Sequence, residues 1–377
     1  MKKDRAKKRD YKKIFNIGLL LVSLGMLVYF CLADNNLAIL LSSIPTLQTV
    51  WLIAAVLCIV VVWGLDAFLV YTITRSVYPN TYPFKSAFKV AMVGQYFNAI
   101  SPFAIAGQPM QLVAMSRQGI STGIALSVLV RKYLIYQITL TVYSLGVILA
   151  RFQFFDSRIH GFMPLALVGF GAQAGIVLLL LLFSTNRKLT TKLIDGLFWL
   201  LSKLHLVKKP EETSKKVKTQ LEFYLDNNKQ MNHNLRMSVT LYGLTFLQMT
   251  VLFSVPFFVY KAFHNGGFPI FDMVSAQAFV TMISSYTPLP GASGTSEGSF
   301  LVLFDLFFHG QATKQAMLLW RFITYYSSII VGSAFAGLEK KADKLEVSFH
   351  TSEKGDVPVQ SKRASASSGK PSVPRIP

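Results

Sequence analysis

The run Tyr286-Thr287-Pro288-Leu289-Pro290-Gly291-Ala292-Ser293-Gly294-Thr295-Ser296-Glu297-Gly298 interrupts an apolar stretch where hydropathy places membrane-buried helix. An earlier stretch is broken in the same manner: Gly94-Gln95-Tyr96-Phe97-Asn98-Ala99-Ile100-Ser101-Pro102, followed by Gly107-Gln108-Pro109. Proline removes a backbone donor and glycine permits φ > 0, so neither stretch can be uninterrupted helix. Hydrocarbon offers no partner for backbone groups freed in this way. Such backbone must be covered by protein or line a wet cavity. Paired interruptions in the two halves of a membrane chain are the usual sequence pointer to a transport site.

Outward from these breaks, the chain reads as membrane protein. Of its 377 residues 52% are hydrophobic, and the mean hydropathy is +0.43. Six apolar runs, at 14–33, 50–72, 127–150, 163–184, 237–263 and 315–338, each have close to the roughly 20 residues needed to cross a core of about 30 Å. The net charge is +20, with eight Lys and Arg before the first run, eleven between 187 and 236, and eight after 339. Positive residues mark the cytoplasmic side, so both termini are expected there, and anionic lipid accounts for the remaining attraction. That distribution argues against nucleic acid as a partner. The basic residues 1–13 followed by an apolar run resemble a signal peptide, but the run is long for one and reads as an uncleaved anchor. Cys31 and Cys58 lie within apolar runs, and the six histidines are scattered, so no metal or cofactor is expected.

Segment 84–115 begins and ends beside positive charge, and its two limbs reach only ~24 and ~18 Å as helix, short of a crossing. It is expected to be a re-entrant hairpin, and 271–309 a second one from the opposite face. The expected fold class is an all-α polytopic membrane protein with six full transmembrane helices and two re-entrant hairpins in an inverted repeat. A basic cytoplasmic N-terminus (1–13) precedes the first membrane half (14–184). A basic amphipathic segment (185–236), lying on the cytoplasmic interface, leads to the second half (237–338). The tail (339–377), rich in Ser, Lys and Pro, is expected to be disordered.

Candidate binding residues follow from the breaks. Asn98, Ser101 and Gln108 place uncharged polar groups at the first tip. Ser293, Thr295, Ser296 and Glu297 sit at a new helix N-terminus, whose free N–H groups would attract an anion such as a lipid phosphate. Glu297 falls in the first turn, where a carboxylate is favoured. Arg321, about a turn and a half into the last run, needs a partner: Glu297, Asp305 or a lipid phosphate. Arg131 and Lys132 start a span on the cytoplasmic side, and Asp66 is an acid within the second run. The bland alternatives are that these groups satisfy broken backbone or snorkel to an interface. Gly294-Thr-Ser296-Glu-Gly298 also matches the Gly-x-Ser-x-Gly nucleophile elbow, but a strand must precede that motif, and none is indicated.

The Asn98…Ser101-Pro102…Gly107-Gln108 segment, Gly119-Ile120-Ser121, Arg131, Pro288-Leu-Pro-Gly291-Ala-Ser-Gly294-Thr-Ser-Glu297 and Arg321 together resemble the flippase-like membrane region of lysylphosphatidylglycerol synthases of the multiple peptide resistance factor type. The resemblance covers roughly residues 14–340. It implies a multi-pass protein of the bacterial cytoplasmic membrane, a lipid flippase without cofactor that lowers sensitivity to cationic antimicrobial peptides. Its substrate would be aminoacylated phosphatidylglycerol or a related anionic, glyco- or polyprenyl lipid. Arg131, already a candidate from its place at the start of a span, is among the residues that carry this likeness. Family synthases carry a soluble catalytic domain after this region, whereas a short tail follows here, so no enzyme activity is expected. The alternatives are an intramembrane lipid-modifying transferase, or a docking partner of a lipid or glycan biosynthetic enzyme on the cytoplasmic side. Membrane lipids are the expected partners, and a homo-oligomer is compatible with the sequence.

Overall fold

The computed structural model describes residues 46–78, 81–185, 235–285 and 287–336. These residues form helices and loops, with no strand among them. Four helices are long and apolar enough to cross a bilayer: α1 (Thr49–Val77), α4 (Thr122–Asp156), α5 (Phe162–Thr185) and α6 (Leu235–Ala262). The protein is an all-α membrane protein. The apolar run at 14–33, the basic segment up to residue 234 and the tail from 339 lie outside the described residues.

Between α1 and α4 the chain forms α2 (Phe84–Ile100), a 3-10 turn (Pro102–Ala104) and α3 (Gly107–Arg117). After α6 come α7 (Ile270–Ser284), a second 3-10 turn (Pro290–Ala292) and α8 (Thr295–Phe308). The last helix, α9 (Gln311–Arg321), passes through a π-helical turn (Phe322–Tyr326) and continues as helix to residue 336. Both α2 and α7 open after an extended proline, Pro83 (φ −77°, ψ 146°) and Pro269 (φ −72°, ψ 155°). Proline there forfeits no helical hydrogen bond and keeps its upstream neighbour out of helix.

Two helices begin earlier than hydropathy suggests. α4 starts at Thr122 instead of residue 127 and runs on through Arg151 to Asp156, because charge ends an apolar window without ending a hydrogen-bond ladder. α9 begins at Gln311, so Arg321 lies nearly three turns in, about 15 Å from the helix start, deeper than the turn and a half expected.

α1 packs along α6, and the same packings recur in both sets of elements. The first short limb lies on the first long helix (α2 on α1, α7 on α6), and the second limb lies on the first (α3 on α2, α8 on α7). The closing helix lies on the second limb (α4 on α3, α9 on α8). The two 3-10 turns touch each other, which brings both helix breaks to one place. The surrounding cores differ. Ala87, Val90, Ala114, Ala125 and Val128 pack the first hairpin with small aliphatics. Phe279, Phe300, Phe304, Phe307 and Trp320 pack the second, with Phe300 stacked on Phe304 at 4.1 Å and on Trp320 at 4.8 Å. An Arg151–Asp272 ion pair (2.9 Å) ties the end of α4 to the first turn of α7.

Candidate functional site

The two 3-10 turns are nearly the same object. In Pro102-Phe103-Ala104, Phe103 has φ 53° and ψ 12°, and Ala104 has φ 52°. In Pro290-Gly291-Ala292, Gly291 has φ 62° and ψ 17°, and Ala292 has φ 53°. Their backbone bonds match: Ala104 N–H donates to Ser101 O and Ile105 N–H to Pro102 O, as Ala292 donates to Leu289 O and Ser293 to Pro290 O. Left-handed backbone costs a non-glycine residue roughly 1–2 kcal/mol, so each turn stores strain that its surroundings must hold.

Side chains cap the helix that restarts after each turn. Asn98, near the end of α2, accepts from Gly107 N–H (3.0 Å), and Ser101 Oγ accepts from Ala106 N–H (3.1 Å). A Cβ on Gly107 would overlap the Asn98 amide, so the glycine permits this approach. In the second turn Glu297 Oε2 accepts from Gly294 N–H (2.7 Å). The N-terminus of α8, read from sequence as an attractor for a lipid anion, thus already holds a carboxylate of its own chain.

Glu297 Oε1 also pairs with Arg321 Nη2 at 2.8 Å, and both side chains are buried. The same Nη2 donates to Gly291 O (3.1 Å), and the guanidinium lies 5.2 Å from the Trp320 ring and 5.1 Å from Tyr325. Tyr325 Oη donates to Ala99 O (3.0 Å), fastening the π turn of the last helix to the end of α2. π turns inside α-helices recur at functional positions.

A second ion pair, Lys132 Nζ to Asp66 Oδ1 at 2.7 Å, joins α4 to α1. Gln248 of α6 donates to Asp66 Oδ1 (3.5 Å) and to Val62 O (3.4 Å). Lys132 lies ten residues past Thr122, the first residue of α4, and Arg321 lies ten past Gln311, the first of α9. Each closing helix therefore presents a cation at the same height, and each cation meets a carboxylate.

Both pairs border one cavity of about 570 Å³, within the roughly 300–1,000 Å³ typical of small-molecule sites. Its walls come from every described helix except α5, from the left-handed residues Phe103 and Ala104 of the first 3-10 turn, and from Ser285 and Ser296 on either side of the second break. Asn98, Gln108, Ser296, Asp66 and Arg321 line it, and Glu297 stands behind Arg321. Ser101 and Ser293 are spent on the turns: Ser293 Oγ donates to Pro290 O (2.7 Å). Thr295 opens α8, and its carbonyl accepts from Ser299 Oγ (2.6 Å). Asp305, offered as a partner for Arg321, instead accepts from Gly310 N–H (2.9 Å) and Thr313 Oγ1 (2.7 Å) and shapes the bend between α8 and α9.

Arg131 turns away from the cavity and donates to Ser238 Oγ on α6 (3.2 Å); its neighbour Lys132 faces in. Sequence reasoning also passed over Gln95, Gln111, Gln137, Gln248 and Gln277, all of which line the cavity. The available signal was carboxamide recurring in otherwise apolar helices, where each one needs a partner.

A family model described as the lysylphosphatidylglycerol synthase transmembrane region matches residues 16–332. The chain is also similar to a protein of Archaeoglobus fulgidus described as a UPF0104 membrane protein. The two are 22% identical over 252 residues, covering 66% of this chain and 75% of that protein.

Proposed function

Because the chain belongs to the lysylphosphatidylglycerol synthase transmembrane-region family, we propose that it is a lipid flippase, moving a phospholipid-type substrate between the leaflets of a bacterial cytoplasmic membrane. Candidate cargoes are aminoacylated phosphatidylglycerol and related anionic, glyco- or polyprenyl lipids. The observation that carries the proposal is one cavity reached by both helix breaks and bordered by two ion pairs, one buried and one partly exposed at its lysine. Discontinuous helices meeting at a polar cavity are how transporters place a headgroup at mid-membrane while its chains stay in lipid.

In this proposal the full topology has six crossings and two hairpins entering from opposite faces, with both termini cytoplasmic. The recurrence of one packing scheme in two sets of elements supports an inverted repeat. Transport is favoured over lipid chemistry because Asp66 and Glu297 each hold a cation, which suits ion pairs that bind or separate better than a free acid or base.

Purified protein in liposomes should speed leaflet exchange of fluorescent lipids above the rate in empty liposomes. Exchange no faster than in empty liposomes, across a panel of anionic, aminoacylated, zwitterionic and glycosylated lipids, would overturn the proposal.

A further inference from the structure

We infer that the cavity is built for a headgroup with adjacent hydroxyl groups, glycosyl or glycerol, in preference to an aminoacylated, cationic one. The inference rests on the transport reading above and names its substrate class.

Charge is the first observation. The charged side chains at the cavity already hold opposite charges, Lys132 with Asp66 at 2.7 Å and Arg321 with Glu297 at 2.8 Å. A cationic headgroup would have to break either pair to gain a carboxylate. A neutral headgroup would leave both intact.

Beside the buried Arg321 Nε, which has no hydrogen-bond acceptor among the described residues, the groups left over include several neutral carboxamides. Gln95 and Gln108 face the cavity with no side-chain hydrogen-bond partner among the described residues. Gln277, on the wall and only 5% exposed, has an Oε1 with no donor among the described residues. Buried polar atoms are nearly always satisfied, so this oxygen calls for a donor brought by an occupant. A carboxamide sets a donor and an acceptor side by side. An ionised phosphate only accepts and an ammonium only donates, whereas a hydroxyl does both, and two neighbouring hydroxyls can bridge one carboxamide. Trp63 and Tyr136 add broad ring faces to the same walls, suited to the apolar face of a sugar ring.

The test uses the full-length protein in liposomes, with leaflet exchange measured separately for glycosyl-diacylglycerol, phosphatidylglycerol, lysylphosphatidylglycerol and phosphatidylethanolamine. Glycosyl-diacylglycerol, phosphatidylglycerol or both should exchange at least about tenfold faster than the two amino lipids, since a site built to bond two adjacent hydroxyls rejects analogues that do not supply both. Which of the first two is fast identifies the source of the hydroxyls. Gln277→Leu should slow that exchange by up to about tenfold, the worth of one good hydrogen bond. Its thermal unfolding should be unchanged, because the lost oxygen has no partner among the described residues. Fastest exchange of lysylphosphatidylglycerol, or equal rates for all four lipids, would overturn the inference and leave transport standing. Were no lipid exchanged at all, transport would fall. The headgroup preference would then be decided by native mass spectrometry of the protein in an amine-oxide detergent with short-chain versions of the same lipids. Retention of the hydroxyl-bearing lipids would uphold the preference, and indifference would sink it.

Discussion

The two 3-10 turns share a backbone and differ in what covers it. In the first, Phe103 and Ile105 are 52% and 65% exposed, and the side chains that bond the backbone after the turn are the uncharged Asn98 and Ser101. In the second, Gly291 lies under the Tyr325 ring, its carbonyl accepts from Arg321, and Glu297 ties that arginine to the next helix. Both halves possess a cation–carboxylate pair, but only the second half places it on the turn. In the first half the pair has moved out to α1 and α4. A repeated fold has thus yielded one clamped tip and one open tip facing a common cavity.

The largest test of this asymmetry is Arg321→Met. It leaves the Glu297 carboxylate buried without its counter-charge, and breaking a buried pair costs about 3–5 kcal/mol. Thermal unfolding in detergent should show a large drop for Arg321→Met and a much smaller one for the double variant Arg321→Met/Glu297→Gln. Lys132→Met should cost less than Arg321→Met, because the Lys132 side chain keeps 18% of its surface exposed against 6% for Arg321. Equal losses at Lys132 and Arg321 would erase the distinction between a clamped and an open half.

Next in size is Gly291→Ala. A Cβ there would overlap the Tyr325 ring, and alanine would have to hold φ near 62°. Left-handed strain and displacement of the ring together should cost about 2–3 kcal/mol, seen as a lowered unfolding midpoint. Since Tyr325 also holds Ala99 O, the damage should reach the end of α2 and slow lipid exchange as well. An unchanged midpoint would mean that the ring is not seated on the turn in solution.

Much of this site was legible because its signals are local. Proline and glycine in an apolar run announce a helix break whatever the rest of the chain does, and Glu297 could be placed in a first turn by counting from Gly294. Rotation of long helices was not legible. Consecutive residues on a helix point about 100° apart, and the sequence does not say which of Arg131 and Lys132 faces the cavity, so tertiary packing made the choice. The same holds for Asp305 against Glu297. Both lie on α8, and only the fold shows that Asp305 closes the bend to α9 while Glu297 meets Arg321. The π turn at Phe322–Tyr326 carries no local signature that we can identify.

The smallest predicted effect has the opposite sign. Phe103 occupies the same left-handed conformation as Gly291 but with a side chain, at a strain of roughly 1–2 kcal/mol. Phe103→Gly relieves that strain and gives back about 0.4–1 kcal/mol through the greater freedom of glycine in the unfolded chain. Half of the ring is already exposed, so little burial is lost. The unfolding midpoint should therefore hold or rise slightly, by no more than about 1 kcal/mol, while Gly291→Ala lowers it. Lipid exchange should respond differently from stability, because Phe103 lines the cavity at the open tip. If stability is kept and exchange falls, the strained phenylalanine is retained for the cargo. If stability falls by more than about 1 kcal/mol, the ring is instead what holds the first turn closed, and the two tips are clamped alike.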